Sequence, residues 1–180
     1  KLNRILAATA RRAGSTSMEL DMPPGCPALR RALARRALDW GIKISPDEII
    51  TTCGCMEALI LSLRAVTRPG DSVAIESPTH FGFIQLIAQL GLKAVEIPTH
   101  PRTGLDLDAL ERILRARRIK ACLVVPNFNN PLGSLMPAAA KERLVAMLAL
   151  REIPLIEDDL YGDLHFGAER PHVSKSYDSK

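Results

Sequence analysis

What most constrains this chain is an alternation of two patterns. Short runs rich in Val and Ile, "SVAIE" from Ser72, "KAVEI" from Lys93, "KACLVV" from Lys120 and "IPLIE" from Ile153, are separated by longer segments. In those longer segments apolar residues return every three or four positions, the period of a helix. Helices are predicted at Pro27–Trp40, Met56–Val66, from Phe81 to Gly91, in "DALERILRARR" and at Ala138–Leu150. Asp108 and Glu111 are spaced like a capping box at the start of the fourth of these. A further strand is predicted near Ile49–Thr52. The strand runs are rich in Val and Ile, as expected of a sheet covered on both faces. Strands alternating with helices predict an α/β fold, a mostly parallel sheet with helices on both faces.

With 180 residues the chain can bury a real core, and its 47% hydrophobic and 24% charged residues are an ordinary globular balance. No apolar run reaches the length of a membrane span, so the sequence does not read as an integral membrane protein. The amino end is basic and polar, with no signal-peptide core, and it lacks an initiator Met, which fits a start inside a longer chain. Cys53-X-Cys55 is too close for a zinc pair, and Cys26 and Cys122 stand alone. Reduced thiols in a cytoplasmic protein are expected. The net charge of +4 comes largely from "RRALARRALDWG" and "ERILRARRIK". No aromatic residues interleave with these arginines, and they read as solvated helix faces rather than a nucleic-acid contact.

In an open α/β sheet the chemistry gathers beyond the carboxyl ends of the strands. That rule selects four places: Thr52–Met56, Glu76–Phe81, Pro126–Gly133 and Glu157–Tyr161. Gly54 stands where a helix begins, and helix-start N–H groups can hold a phosphate or carboxylate, although Gly there also serves a plain turn. His80 and Phe81 could stack on a planar ligand or belong to the core. Glu157, Asp158 and Asp159 could bind Mg²⁺, face a cationic group of a ligand, or cap a helix. Asn130-Pro131 offers a carboxamide to a ligand oxygen or makes a turn, and Asn127 and Asn129 read as turn formers.

Taken in order, the Gly54 turn, the aromatic after a strand, Asn130-Pro131-X-Gly133 and Asp158-X-X-Tyr161 resemble the class I/II aminotransferases of fold type I. The resemblance covers Pro23 to Phe166. The wording "TTCG", "ESPTHFGF", "VVPNFNNPLG" and "LIEDDLYGDLHFG" is similar to one branch, the MocR-type regulators of the GntR family. Those join a winged helix to an aminotransferase-like domain. The resemblance implies pyridoxal 5'-phosphate as cofactor. Asp158 would pair with the protonated pyridine nitrogen, and Asn130 and Tyr161 would bond the ring's phenolate oxygen. Gly54, Cys55 and Met56 would lie against the phosphate, and His80 would take the place of a ring-stacking Tyr.

The pattern is incomplete. The family's Schiff-base lysine follows the Asp-X-X-Tyr element on a later strand, and the role carries to neither Lys175 nor Lys180. Leu20 stands where relatives often have a Tyr reaching the partner subunit, and Cys55 and Met56 replace the usual small and polar residues. The expected organisation is an arm over 1–22 and an incomplete cofactor-binding large domain over 23–180. The resemblance implies the effector domain of a regulator, a homodimer sensing pyridoxal phosphate or an amino acid, with DNA contacts in a separate winged helix. The alternative is part of an amino-acid aminotransferase.

Overall fold

The structure, a computed structural model, describes residues 1–14 and 20–178. Its centre is strand β1 (Ser72–Ser77), flanked by β2 (Lys93–His100) and β4 (Ala121–Val124), with β5 (Leu155–Glu157) beyond β4. These four run parallel. The two-residue strand β3 (Gly104–Leu105) pairs antiparallel on the outer side of β2, giving the order β3-β2-β1-β4-β5. Helices α3 (Cys55–Val66) and α4 (Phe81–Gln89) cover one face, and α5 (Leu107–Ala116) and α6 (Ala138–Ala149) the other.

Successive strand residues point to opposite faces, so β1, β4 and β5 feed two cores, whereas β2 buries only one face, through Val95 and Ile97. Val73, Ile75, Ala121 and Leu123 pack with Leu59, Leu63, Phe83 and Leu86. Ala74, Cys122 and Val124 pack with Leu110, Leu144 and Leu148. This two-sided burial is why β1 and β4 are largely apolar, whereas β2 alternates buried and exposed residues. Leu123 lies in the middle of β4 and is fully buried. Leu123→Ala should cost about 2–5 kcal/mol, read as a lower denaturant midpoint at unchanged slope.

Several local expectations are corrected. Ile49–Thr52 is not a strand: among the described residues no strand lies beside it, and a strand forms only by pairing. Its N–H groups turn elsewhere, Ile49 to the Pro46 carbonyl at 3.3 Å and Thr51 to the Pro24 carbonyl at 3.0 Å. The last of these contacts depends on Gly25, with φ 101°, where a Cβ would run into the Thr51 side chain. The capping box is not at Asp108 and Glu111. Asp106 caps α5 by accepting from Ala109 N at 2.9 Å, and Asp108 and Glu111 instead pair with Arg143 and Arg115. A reciprocal Ser45–Glu48 box caps the short 3-10 turn Pro46–Glu48.

The helix from Pro27 is α-helical only to Arg36 (α2) and tightens into a 3-10 turn over Ala37–Trp40, ended by Gly41. The carboxy-terminal segment from Asp163 is mostly irregular, yet Ser174–Tyr177 forms a 3-10 turn and Val173 and Ser174 are buried. At the amino end α1 (Leu2–Ala13) buries no residue. The connector predicted after Gly14 falls partly on residues 15–19, and Lys180 also lies outside the described residues.

Candidate functional site

Six of the seven candidate residues line one cavity of about 180 Å³ beyond the carboxyl ends of β1, β4 and β5: Cys55, Met56, His80, Asn130, Asp158 and Tyr161. Gly54, the seventh, is the residue immediately before α3. Phe83, Val125 and Leu160 complete the wall. The strands deliver these groups because their loops all leave the same sheet edge.

Asp158 follows β5 and is buried, with Oδ1 accepting from Leu160 N at 3.0 Å. The Asn130 amide donates to the Tyr161 hydroxyl at 3.3 Å, tying the loop after β4 to the loop after β5. His80 caps α4, its Nδ1 accepting from Gly82 N at 3.2 Å. That bond places the ring proton on Nε2. The imidazole stands 4.5 Å from the Phe81 ring and 5.9 Å from Phe83 between centroids. The Cys55 thiol is pushed up to about 11 by burial, then by the charge and hydrogen bonding of Asp158. It is therefore a thiol, and no metal-binding or nucleophilic thiolate, at neutral pH.

No side chain caps α3, whose first turn keeps its N–H groups for a ligand or water. Gly54, at φ 89°, has nothing within 4 Å of the position a Cβ would take, so the approach to that turn is open. An anion fits there, next to a buried carboxylate suited to a cationic ring nitrogen. The residues present thus fit pyridoxal phosphate, which carries both charges at opposite ends.

The Mg²⁺ alternative fails because the three carboxylates have separate partners. Glu157 accepts from Ser174 N at 2.7 Å and Lys175 N at 3.3 Å, and Asp159 pairs with Arg170. Among the described residues no cluster of His, Cys, Asp and Glu could hold a metal.

Two supports were missed at the sequence level. Asn127 is no mere turn former: it is fully buried, donates to Asp159 Oδ1 at 2.8 Å and accepts from Lys141 Nζ at 2.5 Å. Lys141 Nζ also donates to the His172 carbonyl at 2.6 Å, and burial lowers its affinity for a proton. Lys141 occupies the apolar face of α6 in register with Leu144 and Leu148, so a lysine at a core position was the available signal. Glu76 is the other support: Oε2 accepts from Val125 N at 2.7 Å under the Asn130 loop. Burial pushes its carboxyl up to about 7, against the pull of Val125 and the Asn129 side chain. Asn129 Nδ2 and Glu76 Oε1 are both buried without a well-formed hydrogen bond. Between the two buried asparagines Phe128 adopts φ 57°, a strained conformation for an aromatic residue.

The family model for aminotransferase class I and II matches residues 1–178. The chain belongs to that family. It is 46% identical to the HTH-type transcriptional regulator YdcR of Escherichia coli over 99% of this chain and 38% of YdcR. It is 42% identical to the regulator YjiR of the same organism, over 91% of this chain and 35% of YjiR. Among solved structures it is similar to LysN, an alpha-aminoadipate aminotransferase of Thermus thermophilus complexed with N-(5'-phosphopyridoxyl)-L-leucine. That match has a TM-score of 0.81 at 32% identity and covers 91% of this chain and 41% of LysN. The chain thus spans about two-fifths of the length of these relatives. The expected α/β architecture, a fold-type-I sheet with helices on both faces, holds. No helix among the described residues is long and apolar enough to cross a membrane.

Proposed function

We propose that this chain is the pyridoxal-phosphate-binding part of an HTH-type transcriptional regulator, acting in the cytoplasm as a ligand sensor. The observation that carries the reading is the convergence on one cavity of a buried carboxylate, a carboxamide–phenol pair and an uncapped helix start. Asp158 would face the pyridine nitrogen and hold its proton. Asn130 and Tyr161 would orient the ring through its phenolate oxygen, and the α3 start with Gly54, Cys55 and Met56 would receive the phosphate. His80 would cover one ring face. When bound, the cofactor would supply an electron sink and an aldehyde able to react with amines. Among the described residues no lysine lines the cavity, so the roles of this chain are binding and orientation.

The nearer relatives reported above are regulators, which supports a DNA-binding unit elsewhere in the whole protein and a homodimer that responds to an amino acid. In this reading 1–22 forms an arm and 23–180 the cofactor-binding unit. A second reading, an amino-acid aminotransferase, draws support from the LysN match. The full-length protein should gain a visible absorption band on titration with pyridoxal phosphate and shift the mobility of its own promoter DNA. A band without a mobility shift, together with turnover of amino acids and 2-oxo acids, would favour the aminotransferase. Absence of any band would reject both. Asn130→Ala removes one ring contact and should weaken cofactor affinity about tenfold, measured in the same titration.

A further inference from the structure

A second concave surface lies at the opposite, amino-terminal ends of β1 and β4. It is a groove of about 580 Å³ lined by Arg64, Arg68, Asp71, Arg118 and Lys120 among others. Arg64 is in the last turn of α3 and Arg68 lies in the turn before β1, whereas Arg118 and Lys120 immediately precede β4. Because β1 and β4 are neighbours, these distant stretches meet, with Lys120 N donating to the Ser72 carbonyl at 2.8 Å.

The four cations are exposed, and none has a salt bridge among the described residues. The carboxylate in the groove, Asp71, accepts from the Arg68 backbone N at 2.9 Å, which leaves it less available to the side chains. Some arginines elsewhere are matched by acids, Arg30 by Asp47, Arg36 and Arg170 by Asp163, and Arg143 by Asp108 and Glu111, whereas the four groove cations share one concavity without such a partner among the described residues. Carboxylates Glu76, Glu157, Asp158 and Asp159 stand at the cavity end, and the groove at the other end gathers Arg64, Arg68, Arg118 and Lys120.

We infer that this groove is a docking surface for the phosphate backbone of DNA, supplementing whatever unit reads the sequence. The inference rests on the regulator reading proposed above. Four cations in one concavity exceed what a single phosphate monoester requires and suit consecutive phosphodiesters. Arg and Lys side chains there would position the duplex without reading its bases.

The test uses the full-length protein and a 40-bp duplex of random sequence (length about four helical turns), with affinity measured by fluorescence anisotropy across salt concentrations. The combined variant Arg64→Gln, Arg68→Gln, Arg118→Gln and Lys120→Gln should flatten the log–log salt dependence by about 3 and weaken binding at low salt at least tenfold. A charge-preserving variant, Arg64→Lys with Arg68→Lys and Arg118→Lys, should keep the wild-type slope, which separates charge loss from misfolding. A control removing equal charge elsewhere, Arg31→Gln, Arg35→Gln, Lys43→Gln and Arg102→Gln, should leave the slope in place. An unchanged slope in the groove variant overturns the inference while the regulator reading stands. An equal drop in the control, or a drop in the Lys variant matching that of the Gln variant, also overturns it. A wild-type protein that binds no DNA overturns the regulator reading and this inference together.

Discussion

Asp158→Ala in the full-length protein should lower affinity for pyridoxal phosphate about 100-fold or more, because in the proposed role Asp158 is one partner of a buried charge pair with the ring nitrogen. The carboxylate lies at the end of β5 behind Cys55, Leu160 and Tyr161. A protonated pyridine nitrogen beside this buried position would lose its compensating anion, so the ring would either lose its proton or leave. Asp158→Asn keeps volume and one acceptor oxygen, and should bind better than Ala yet show an altered visible spectrum. Asp158 already offers Oδ1 to Leu160 N, so some loss of stability accompanies either change. Comparing thermal midpoints without cofactor separates that loss from the binding effect. Wild-type affinity in Asp158→Ala would reject the pyridinium role.

The second large effect is a pH dependence of stability set by Glu76. Its carboxyl rises from 4.5 to about 7 in the fold, with burial as the main cause. A raised folded-state value means that the native protein favours the protonated form more than the unfolded chain does. The resulting stability is fully present below about 4.5 and is lost as pH rises through about 7. The gap corresponds to about 3 kcal/mol between pH 4 and pH 8 from this group alone. Glu157 is also raised, chiefly by burial, and adds a contribution of the same sign. Glu76→Gln keeps an acceptor for Val125 N without the titration. Denaturant midpoints at pH 5 and pH 8 should therefore lie closer together in the variant, mostly because it is more stable at pH 8. An identical pH dependence in both proteins would show that Glu76 is ionised at no cost.

Much of the fold was legible because burial leaves a direct mark on composition. A strand covered on both faces admits few polar residues, and β1, β4 and β5 were readable as short Val- and Ile-rich runs, as was β2, although it buries only one face. Ile49–Thr52 has the same composition and is not a strand, because composition states a preference and pairing states a fact. Asp108 and Asp106 are both plausible caps two residues apart. The helix start was settled by which side chain reached Ala109 N, and Arg143 on α6 drew Asp108 away.

The candidate site was legible as a list of strand ends with a family resemblance behind it. Its supports were not. Glu76 and Lys141 hold the loop that presents Asn130, and each bonds a residue far away in sequence, Val125 and Asn127 respectively. A polar residue inside an apolar pattern was the visible sign, but the partner that made it tolerable could not be read.

By itself, then, the sequence determined the order and kind of the elements and the chemistry at each strand end, because local periodicity and side-chain type are properties of short stretches. Only the tertiary structure decided which ends meet. Asn130 reaches Tyr161, Cys55 faces Asp158, and Arg64 and Arg68 come beside Arg118 and Lys120. Those meetings follow from β1, β4 and β5 lying side by side, and that arrangement is fixed by burying both faces of the sheet at once.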